Sequence, residues 1–330
     1  MRKSRFTESQ IVAILKEGEA GVALSELTRK HGISRATYFN WRAKYGGVEG
    51  GIVGMSNPAS ASQYVLGTAE TEHERLRRQA TLLAPHTERL FREAGLGPQQ
   101  RVLDIGSGVG DVALLAAQVV GPEGQVVGID LDGTALAKAR TRAEACGFRN
   151  VTLVETDLAQ FKAERPFDAI VGRLILQFVP RPIETLRALA YVLRPGGVMI
   201  FQESNWEALL SQVAHLPLRR TCCELIYESF KRSNANVDMG SVFLCGFQEI
   251  GFPSPRMRLD VPIGVDSETR RWVYDLVRSL YPRFVQYGLS IEALGELATL
   301  SDRLESELTC HNSYAACIGL TGVWSRKPLE

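Results

Sequence analysis

The stretch Val102-Leu103-Asp104-Ile105-Gly106-Ser107-Gly108-Val109-Gly110-Asp111 decides the fold of this chain. An apolar strand carries an acidic residue near its end and opens through a glycine turn into a helix, which is the first half of a βαβ unit. The Gly-x-Gly-x-Gly spacing lets the backbone approach a ligand closely, because a Cβ atom at these positions would collide with it. The segment therefore predicts an α/β fold with a ligand site at the turn.

The details of the turn distinguish it from the loop that binds dinucleotides. A dinucleotide loop has the spacing Gly-x-Gly-x-x-Gly, whereas the third glycine here comes one residue early, at Gly110, and Asp111 follows it. A dinucleotide needs no acid at the position of Asp104, but a ligand with a cationic amino-acid end does. Asp104 can hold an ammonium group directly or through water, while the glycine amides face the rest of the ligand.

Acidic residues also follow the next two predicted strands. The second strand ends in Asp130, whose carboxylate can accept hydrogen bonds from both hydroxyls of a ribose, and Leu131 comes next. The third strand runs into Asp157, which is placed to accept a proton from an adenine amino group, and Leu158 can pack on the ring. Three acids after three successive strands, together with the glycine turn, indicate a site for S-adenosylmethionine.

From about Tyr64 to Lys327 the chain resembles the class I S-adenosylmethionine-dependent methyltransferases. Later landmarks agree, because Phe167–Val171 is typical of the fourth strand and Leu193–Gly197 of the turn before the fifth. The stretches "QYVLGTAETEHERLRRQA" before the core and "GLTGVWSRKP" near the end are most similar to the small-molecule branch related to quinone-biosynthesis methyltransferases.

The resemblance implies an α/β, Rossmann-like sheet with helices on both faces, helical cap insertions and S-adenosyl-L-methionine as cofactor. It also implies that Tyr64 meets the methionine end of the cofactor. Arg173 ends the fourth strand, on the rim where such sheets bind ligands, although a surface salt bridge is an alternative role. The predicted cofactor contacts are Tyr64, Asp104, Gly106, Ser107, Gly108, Gly110, Asp130, Leu131, Asp157, Leu158 and Arg173.

Strands and helices alternate from position 101 onward, after a charged helical stretch near 64–94. We predict strands near 101–105, 125–130, 151–155, 167–172, 197–203, 256–262 and 314–325. We predict helices near 111–120, 133–146, 180–193 and 238–250, a helical insertion over 205–236 and two helices within 267–308. The methyltransferase-like domain is predicted to span 58–330, with substrate caps near 204–236 and 265–310.

The first 46 residues have a different character and are predicted to form a small all-α head. They contain a helix–turn–helix pattern with helices over 8–18, Leu24–His31 and 35–45, which places the third helix to enter a DNA major groove. The predicted DNA contacts are Arg35, Thr37, Tyr38, Asn40, Arg42 and Lys44. The segment resembles the DNA-binding head of the small insertion-sequence transposase subunit, which implies a transposase-like domain.

The nine positions 46–54 contain five glycines, and we predict a flexible linker over 47–57 between the head and the core. A coiled coil normally follows this kind of head and dimerises it, and the glycine linker stands in its place. A single head is expected to bind DNA weakly and mostly through phosphates. Two interpretations stay open, a passive remnant upstream of a gene that once began at Met55 and a working DNA tether.

The expected reaction is an in-line displacement at the sulfonium methyl group, with a small organic molecule as acceptor. The protein must align the reactants, exclude water and in some cases remove a proton. The candidate catalytic residues are His215, in the insertion after the fifth strand, and Glu203, at the end of that strand. For each of them a packing or surface role is an alternative.

The DNA-binding head raises the alternative of a DNA methyltransferase. Enzymes that methylate DNA amino groups carry Asn/Asp-Pro-Pro-aromatic after the fourth strand, where this chain has Gly172-Arg173-Leu174-Ile175, and no Pro-Cys dipeptide occurs for cytosine-ring chemistry. These departures favour a small acceptor. A DNA-binding regulator whose core only senses S-adenosylmethionine remains a second hypothesis, as does a DNA-tethered methyltransferase.

Composition sets the remaining expectations. The 330 residues carry a formal net charge of +1, and residues 1–50 hold nine Lys/Arg against five Asp/Glu, so a basic head precedes a mildly acidic body. The six cysteines form no CxxC pair and suggest reduced thiols rather than a metal site. The charged start and the lack of long apolar runs favour a cytoplasmic chain without membrane insertion. The oligomeric state stays open.

Overall fold

The computed structural model describes residues 24–33 and 70–329, together with Gln10, Ile14 and Thr37. The chain divides into two compact units, Met1–Ser62 and Gln63–Glu330. In the first unit, helix α1 spans Leu24–His31, as the sequence predicts for the second helix of the head. Gly32 follows it with a φ of +61°, the left-handed conformation with which many helices end.

The second unit is built on a seven-stranded sheet and a separate two-stranded pair. The strands are β1 Arg101–Ile105, β2 Gln125–Asp130, β3 Val151–Glu155, β4 Phe167–Arg173, β5 Leu193–Asn205, β6 Arg256–Asp260, β7 Ile263–Gly264, β8 Ala315–Ala316 and β9 Gly319–Arg326. The order in the main sheet is β3-β2-β1-β4-β5-β9-β6, and β7 pairs with β8. The first five strands run parallel, whereas β9 runs antiparallel to both β5 and β6.

The helices of the second unit cover both faces of the sheet and form a cap. They are α2 Glu70–Ala94, α3 Asp111–Val120, α4 Gly133–Ala145, α5 Pro182–Val192, α6 Trp206–Gln212, α7 Pro217–Arg232, α8 Met239–Glu249, α9 Ser267–Gln286 and α10 Leu297–Cys310. Short 3₁₀ turns span Leu176–Phe178 and Glu292–Leu294. Within the residues that the structure describes, no helix has both the length and the apolar character needed to cross a bilayer.

Alternating side chains on the buried strands divide the core into two layers. Val102 on β1 packs with α2, α3 and α4 on one face, while its neighbour Leu103 packs with α5 and α8 on the other. A parallel sheet covered on both faces is the architecture that the strand–helix alternation predicts. The predicted fold class is therefore confirmed.

The cap consists of α6, α7, α9 and α10. Its core contains the aromatic residues Trp206, Phe230, Trp272 and Phe284, all of them buried. Leu83 of α2 belongs to the same cluster, so α2 contacts the cap as well as the sheet.

Four of the seven predicted strands have different bounds in the structure. The strand expected over 167–172 extends to Arg173, and the one expected over 197–203 spans Leu193–Asn205. The strand expected over 256–262 ends at Asp260, because Pro262 has no N–H to continue the ladder and its carbonyl instead accepts a hydrogen bond from the Cys317 amide. The strand expected over 314–325 is divided into β8 and β9, because its first residues pair with β7 rather than with the main sheet.

Candidate cofactor site

The carboxyl ends of three neighbouring strands bring the predicted acids to one edge of the sheet. In the parallel register of β1 and β2, Asp104 lies beside Gly128, and Asp130 lies beside Glu155 of β3. The Thr156 amide, directly after β3, donates a hydrogen bond of 2.9 Å to the Asp130 carbonyl. The turn that follows β1 and the loop that contains Asp157 therefore open on the same side of the sheet.

The glycine turn after β1 adopts left-handed backbone conformations at Gly106, Gly108 and Gly110, with φ of +66°, +51° and +89°. A Cβ atom on Gly106 would lie 2.6 Å from the Ile175 side chain, and one on Gly110 would lie 2.8 Å from Ala139. A Cβ atom on Gly108 would meet no atom within 4 Å. Gly106 and Gly110 are thus required by packing, whereas Gly108 faces open space at the strand edge.

Asp104 is buried beneath the turn with one carboxylate oxygen unsatisfied. The Ser107 hydroxyl donates to Oδ2 of Asp104 over 2.7 Å, while Oδ1 has no hydrogen-bond partner in the described part of the chain. Burial raises the pKa of Asp104 to about 7, against the opposing effects of the Ser107 hydrogen bond and of Arg173. A buried oxygen that lacks a donor is what an ammonium group of a ligand would complete.

Asp130 ties the glycine turn to the end of β2. Its Oδ2 accepts a hydrogen bond of 2.8 Å from the Gly108 amide, and its Oδ1 accepts one of 2.8 Å from the Asp132 amide. The side chain is half-buried, and each oxygen can accept a further hydrogen bond beyond the one from the backbone. Leu131, the next residue, is 66% exposed at the mouth of this edge.

Asp157 and Leu158 lie in the loop after β3. Oδ1 of Asp157 accepts a hydrogen bond of 2.8 Å from the Ala159 amide, which is the geometry of a turn cap. Leu158 is half-buried against the apolar layer beneath β1 and β2. Both residues follow a strand that neighbours β2, as the sequence predicts.

Arg173 extends from the end of β4 into a polar cleft. Its Nη1 donates to the Thr87 hydroxyl over 3.0 Å, and that hydroxyl donates to Gln202 Oε1 over 2.7 Å. Burial lowers the pKa of Arg173, while Asp111 and Asp104 oppose that shift. The cleft has a volume of about 720 Å³, and Asp111, Arg142 and Arg173 are among the residues that line it.

Thr87 and Gln202 are contacts that the sequence did not indicate. Thr87 is 86 residues from Arg173 and 115 residues from Gln202. The only sequence signal for these contacts is a polar residue on the inward face of α2, and that signal does not identify the residue it contacts.

Glu203 is completely buried at the end of β5. Its Oε1 accepts hydrogen bonds from the amides of Ile175 (3.1 Å) and Leu176 (2.8 Å), just after Leu174 has turned the chain with a φ of +56°. Its Oε2 has no partner among the described residues. Burial raises the pKa of Glu203 to about 8, although the backbone hydrogen bonds oppose the shift.

The remaining predicted residues lie elsewhere or outside the described part of the chain. His215 is exposed between α6 and α7, where its Nε2 lies 2.8 Å from the Ser313 hydroxyl and its ring meets that of His311 edge-on. Thr37 is helical and half-buried in the first unit. Tyr64, Arg35, Tyr38, Asn40, Arg42 and Lys44 lie outside the described residues.

A buried polar network joins α2 to the cap and was not anticipated. Arg75 donates to both carboxylate oxygens of Glu72 (2.9 and 2.6 Å) and to Gln79 Oε1 (2.7 Å). The indole N–H of Trp272, on α9, donates to the same Gln79 oxygen over 3.1 Å. The spacing of Glu72, Arg75 and Gln79, at i, i+3 and i+7, is visible in the sequence. The sequence does not indicate that Trp272 is the partner of Gln79.

The buried cysteines of the cap are neutral thiols. Burial raises the pKa of Cys222 to about 12 and raises those of Cys223 and Cys317 still further. Across the described ranges, no group of three or more His, Cys, Asp or Glu side chains is placed to hold a metal ion.

Two family models match different parts of the chain. Residues 96–243 match the family model described as a methyltransferase domain, and residues 1–80 match the one described as a transposase. The chain is 57% identical over 49 residues to a 10 kDa protein of insertion element ISR1 from Rhizobium sp.. That match covers 15% of this chain and 56% of the relative.

Two relatives match the second unit. An arsenite methyltransferase from Aquipseudomonas alcaligenes is 30% identical over 177 residues, which is 50% of this chain and 47% of that protein. A ubiquinone/menaquinone biosynthesis C-methyltransferase from Pseudomonas fluorescens is 33% identical over 124 residues, or 36% of this chain and 48% of that protein. The chain therefore spans about half the length of the curated relatives it matches.

A solved structure supports the fold. The crystal structure of a candidate methyltransferase from Bacillus halodurans aligns with a TM-score of 0.50 and 19% identity, covering 73% of this chain and 98% of that chain. At this level of identity the likeness concerns the fold alone.

Proposed function

We propose that this chain, in which a methyltransferase domain follows a transposase-type domain, transfers a methyl group from S-adenosyl-L-methionine to a small organic acceptor. The observation that carries the proposal is the buried Oδ1 of Asp104, which lacks a hydrogen-bond donor within the described residues and lies beneath the glycine turn. S-adenosyl-L-methionine is the cofactor of this class of domain, and the ammonium of its methionine end would supply that donor.

Asp104 and Arg173 would together hold the zwitterionic end of the cofactor. The two side chains have opposite charges and are close enough that Arg173 lowers the pKa of Asp104 and Asp104 raises that of Arg173. Asp104 fits an ammonium group, and the guanidinium of Arg173 fits a carboxylate. The cleft beside Arg173 lies between α2, α3 and α4, and neither Asp104 nor the glycine turn is among the residues that line it.

The other predicted residues would hold the nucleoside. The half-buried carboxylate of Asp130 has lone pairs left for the ribose hydroxyls. Asp157 would accept from the adenine amino group, and Leu131 and Leu158 offer apolar surface for the ring. The open space at Gly108 would let the backbone contact the ligand without a side chain between them.

When bound, the cofactor supplies a methyl group on a sulfonium, so the protein need not activate the leaving group. The chain's own contribution is to align the acceptor and to exclude water. The cap supports an apolar organic acceptor, because it clusters aromatic rings next to the end of β5. Trp206 lies 5.1 Å from Phe230 between ring centroids, and Phe230 lies 5.8 Å from Phe178.

Glu203 is the stronger of the two candidate catalytic residues in this proposal. Its Oε1 holds the turn after β4, and its free Oε2 would orient an acceptor through a hydrogen bond. With a pKa of about 8 the carboxyl is mostly protonated at neutral pH and can donate a hydrogen bond. His215 remains a candidate, but its contacts are Ser313 and His311 rather than any residue of the strand edge.

Calorimetric titration of the full chain with S-adenosyl-L-methionine tests the cofactor site. We expect Asp104→Ala and Asp130→Ala to abolish measurable binding while the domain stays folded by circular dichroism. Asp132→Ala is the matched control, because the Asp132 side chain caps α4 through the amides of Thr134 and Ala135. Unchanged affinity in both Asp104→Ala and Asp130→Ala would refute the assignment.

A screen of acceptors with methyl-labelled cofactor tests the reaction. We expect label in an aromatic or other apolar organic molecule, with the same product from the full chain and from residues 55–330. Candidates from the sequence are phenols, quinone precursors, polyketides and lipid-like acids. No transfer to any small acceptor, with cofactor binding intact, would favour a sensor instead.

A second candidate function is supported by the transposase match over residues 1–80. The chain would then be a DNA-tethered methyltransferase, or a DNA-binding regulator whose second unit senses the cofactor. Binding of a defined DNA site by the full chain that is lost when residues 1–50 are deleted would favour this function.

A further inference from the structure

The strand at one end of the main sheet exposes an apolar surface. Strand β6 lies at the edge of the sheet order, so its outer backbone groups have no strand neighbour in the described chain. Met257 and Leu259, which share one face of β6, are 41% and 55% exposed. Leu244 of α8 is also exposed, and Gly240, one turn earlier on the same face of that helix, approaches the Met257 methyl. We call Leu244, Met257 and Leu259 the edge strip.

The opposite face of β6 carries two arginines, and only one of them forms ion pairs with described residues. Arg258 donates to both oxygens of Asp260, each over 2.7 Å, and to Glu93 of α2 over 2.6 Å. Arg256 is exposed and makes no ion pair with any described residue. The positive charge of Arg258 is thus neutralised within the chain, whereas that of Arg256 is not.

The five residues of β6, Arg-Met-Arg-Leu-Asp, are complementary to themselves when paired antiparallel around Arg258. This register places Arg256 opposite Asp260 of a second copy and Met257 opposite its Leu259. Directly opposed side chains in an antiparallel pair lie within about 5.5 Å of one another, so Arg256 comes opposite a carboxylate that it would share with Arg258, and the apolar residues gain a partner. The two Arg258 side chains meet at the centre, each already neutralised by Asp260 and Glu93.

A shifted register is less favourable. Pairing around Met257 would place Arg256 opposite Arg258, which is repulsive. Pairing around Leu259 would place Arg258 opposite Asp260 but Arg256 opposite Pro262, which has no N–H to donate and lies beyond the strand. The positions of the charges therefore favour the register around Arg258, with β6 of a second copy as the partner strand.

We propose that a second copy of this chain docks antiparallel along β6, joining two sheets across the edge strip. Because the paired strands are short, we expect a weak dimer with a dissociation constant on the order of micromolar, as for small interfaces. An edge strand with exposed apolar residues is otherwise a site of uncontrolled pairing, which a defined dimer would prevent.

Sedimentation equilibrium of the full chain from 1 to about 100 μM tests the proposal at concentrations around that expected for dissociation. We expect a monomer–dimer equilibrium whose dissociation constant rises at least about tenfold in Leu259→Lys, because each dimer contains the substitution twice. Val285→Lys is the matched control, since Val285 is 57% exposed on α9, apart from β6, and should leave the constant unchanged. Arg256→Asp should also weaken the dimer, because like charges then face each other across the axis.

Hydrogen exchange of the amides of residues 256–260 gives an independent measurement. We expect protection that increases with protein concentration in the wild type and not in Leu259→Lys. A monomer at every concentration, or a dimer that Leu259→Lys leaves intact, would overturn the proposal. Protection that is already complete in a monomer would overturn it as well, because another segment of the same chain would then cover the edge.

Discussion

Asp104 shows how one residue acquires a binding role from its surroundings. The side chain is 1% exposed, and Ser107 satisfies only one of its two carboxylate oxygens. Burial therefore disfavours the ionised form, and the pKa rises from 3.8 to about 7. A cationic ligand would reverse this penalty, since a nearby positive charge favours the ionised carboxylate.

Cofactor binding should consequently depend on pH through Asp104. Below a pH of about 7 the free protein carries a proton on this carboxyl, which must be released before an ammonium group can bind. We expect the affinity for S-adenosyl-L-methionine to fall by up to about tenfold for each pH unit below 7. Calorimetry between pH 5.5 and 8 measures this change in affinity. Asp104→Asn should bind the cofactor weakly, with an affinity that does not vary with pH in this way. A wild-type affinity that does not vary over this range would contradict the prediction.

Substitution of Gly108 distinguishes an effect on folding stability from an effect on ligand binding. Its Cβ position is empty, so we expect Gly108→Ala to cost only about 1–2 kcal/mol of folding free energy, from the left-handed backbone. The added methyl would occupy the space proposed for the ligand, so cofactor affinity should fall at least tenfold. Urea unfolding and calorimetry on the same protein measure the two effects.

Gly121 provides the control for that substitution. It also has a positive φ, +72°, with nothing within 4 Å of its Cβ position, but it follows the C terminus of α3 rather than the end of β1. Gly121→Ala should lose more stability than Gly108→Ala, because its ψ of −180° lies in a region essentially restricted to glycine, and it should keep the affinity. Equal affinities for both variants would remove Gly108 from the proposed site.

At the scale of secondary-structure elements, the ends of β4 and β5 are held together by Glu203. The carboxylate accepts hydrogen bonds from two consecutive amides of the turn after β4, close to the left-handed Leu174. The sequence placed Glu203 at the end of a strand but did not indicate these amides. The turn after β4 and the end of β5 therefore meet at this one buried carboxyl, whose Oε2 is unsatisfied among the described residues.

Glu203 should make the second unit less stable as pH rises. Its pKa of about 8 in the folded chain lies above the ordinary 4.5, so the folded chain binds the proton more tightly than the unfolded chain between these values. The free energy of unfolding should fall between pH 5 and pH 8, by at most about 1.4 kcal/mol per pH unit from this group. Urea unfolding at pH 5, 6.5 and 8 measures the slope.

Glu203→Gln tests the origin of that slope. The amide oxygen of glutamine can still accept from the two turn amides, but the side chain no longer titrates. The variant should lose the part of the slope that Glu203 contributes, whereas Glu207→Gln, an exposed change one residue into α6, should retain it. Identical slopes in the wild type and Glu203→Gln would contradict the prediction.

At the scale of the whole molecule, two units with different relatives share one chain. The first matches a transposase domain and carries the basic excess of the sequence, and the second contains the methyltransferase domain. The proposed DNA contacts lie in the first unit and the proposed chemistry in the second. Their properties should therefore be measurable separately.

DNA binding by the full chain should be weak and sensitive to salt. With a few phosphate contacts from each head, we expect affinity to fall by on the order of tenfold to a hundredfold between 50 and 200 mM salt. Fluorescence anisotropy with a labelled duplex measures the slope, and deletion of residues 1–50 should remove the binding. Binding that persists without these residues would place the DNA site in the second unit.

The elements with strong local patterns were predictable. The bounds of β1, β2 and β3 agree with the sequence prediction residue for residue, because apolar runs bounded by acids and glycines leave little choice of register. The split between β8 and β9 was not predictable, since it depends on which strand the chain pairs with. The same holds for Trp272 and Gln79, which are 193 residues apart.

The amino-acid sequence by itself determined the α/β class, the glycine turn and the order of the acids along the strands, because these follow from local periodicity and from backbone sterics. Only the tertiary structure decided which carboxyl groups are buried away from solvent and which stay hydrated. Asp104 and Glu203 have perturbed pKa values because distant elements bury them, and β6 is an edge because β9 returns between it and β5. Desolvation and strand neighbours are properties of the assembled chain, and no local stretch of sequence encodes them.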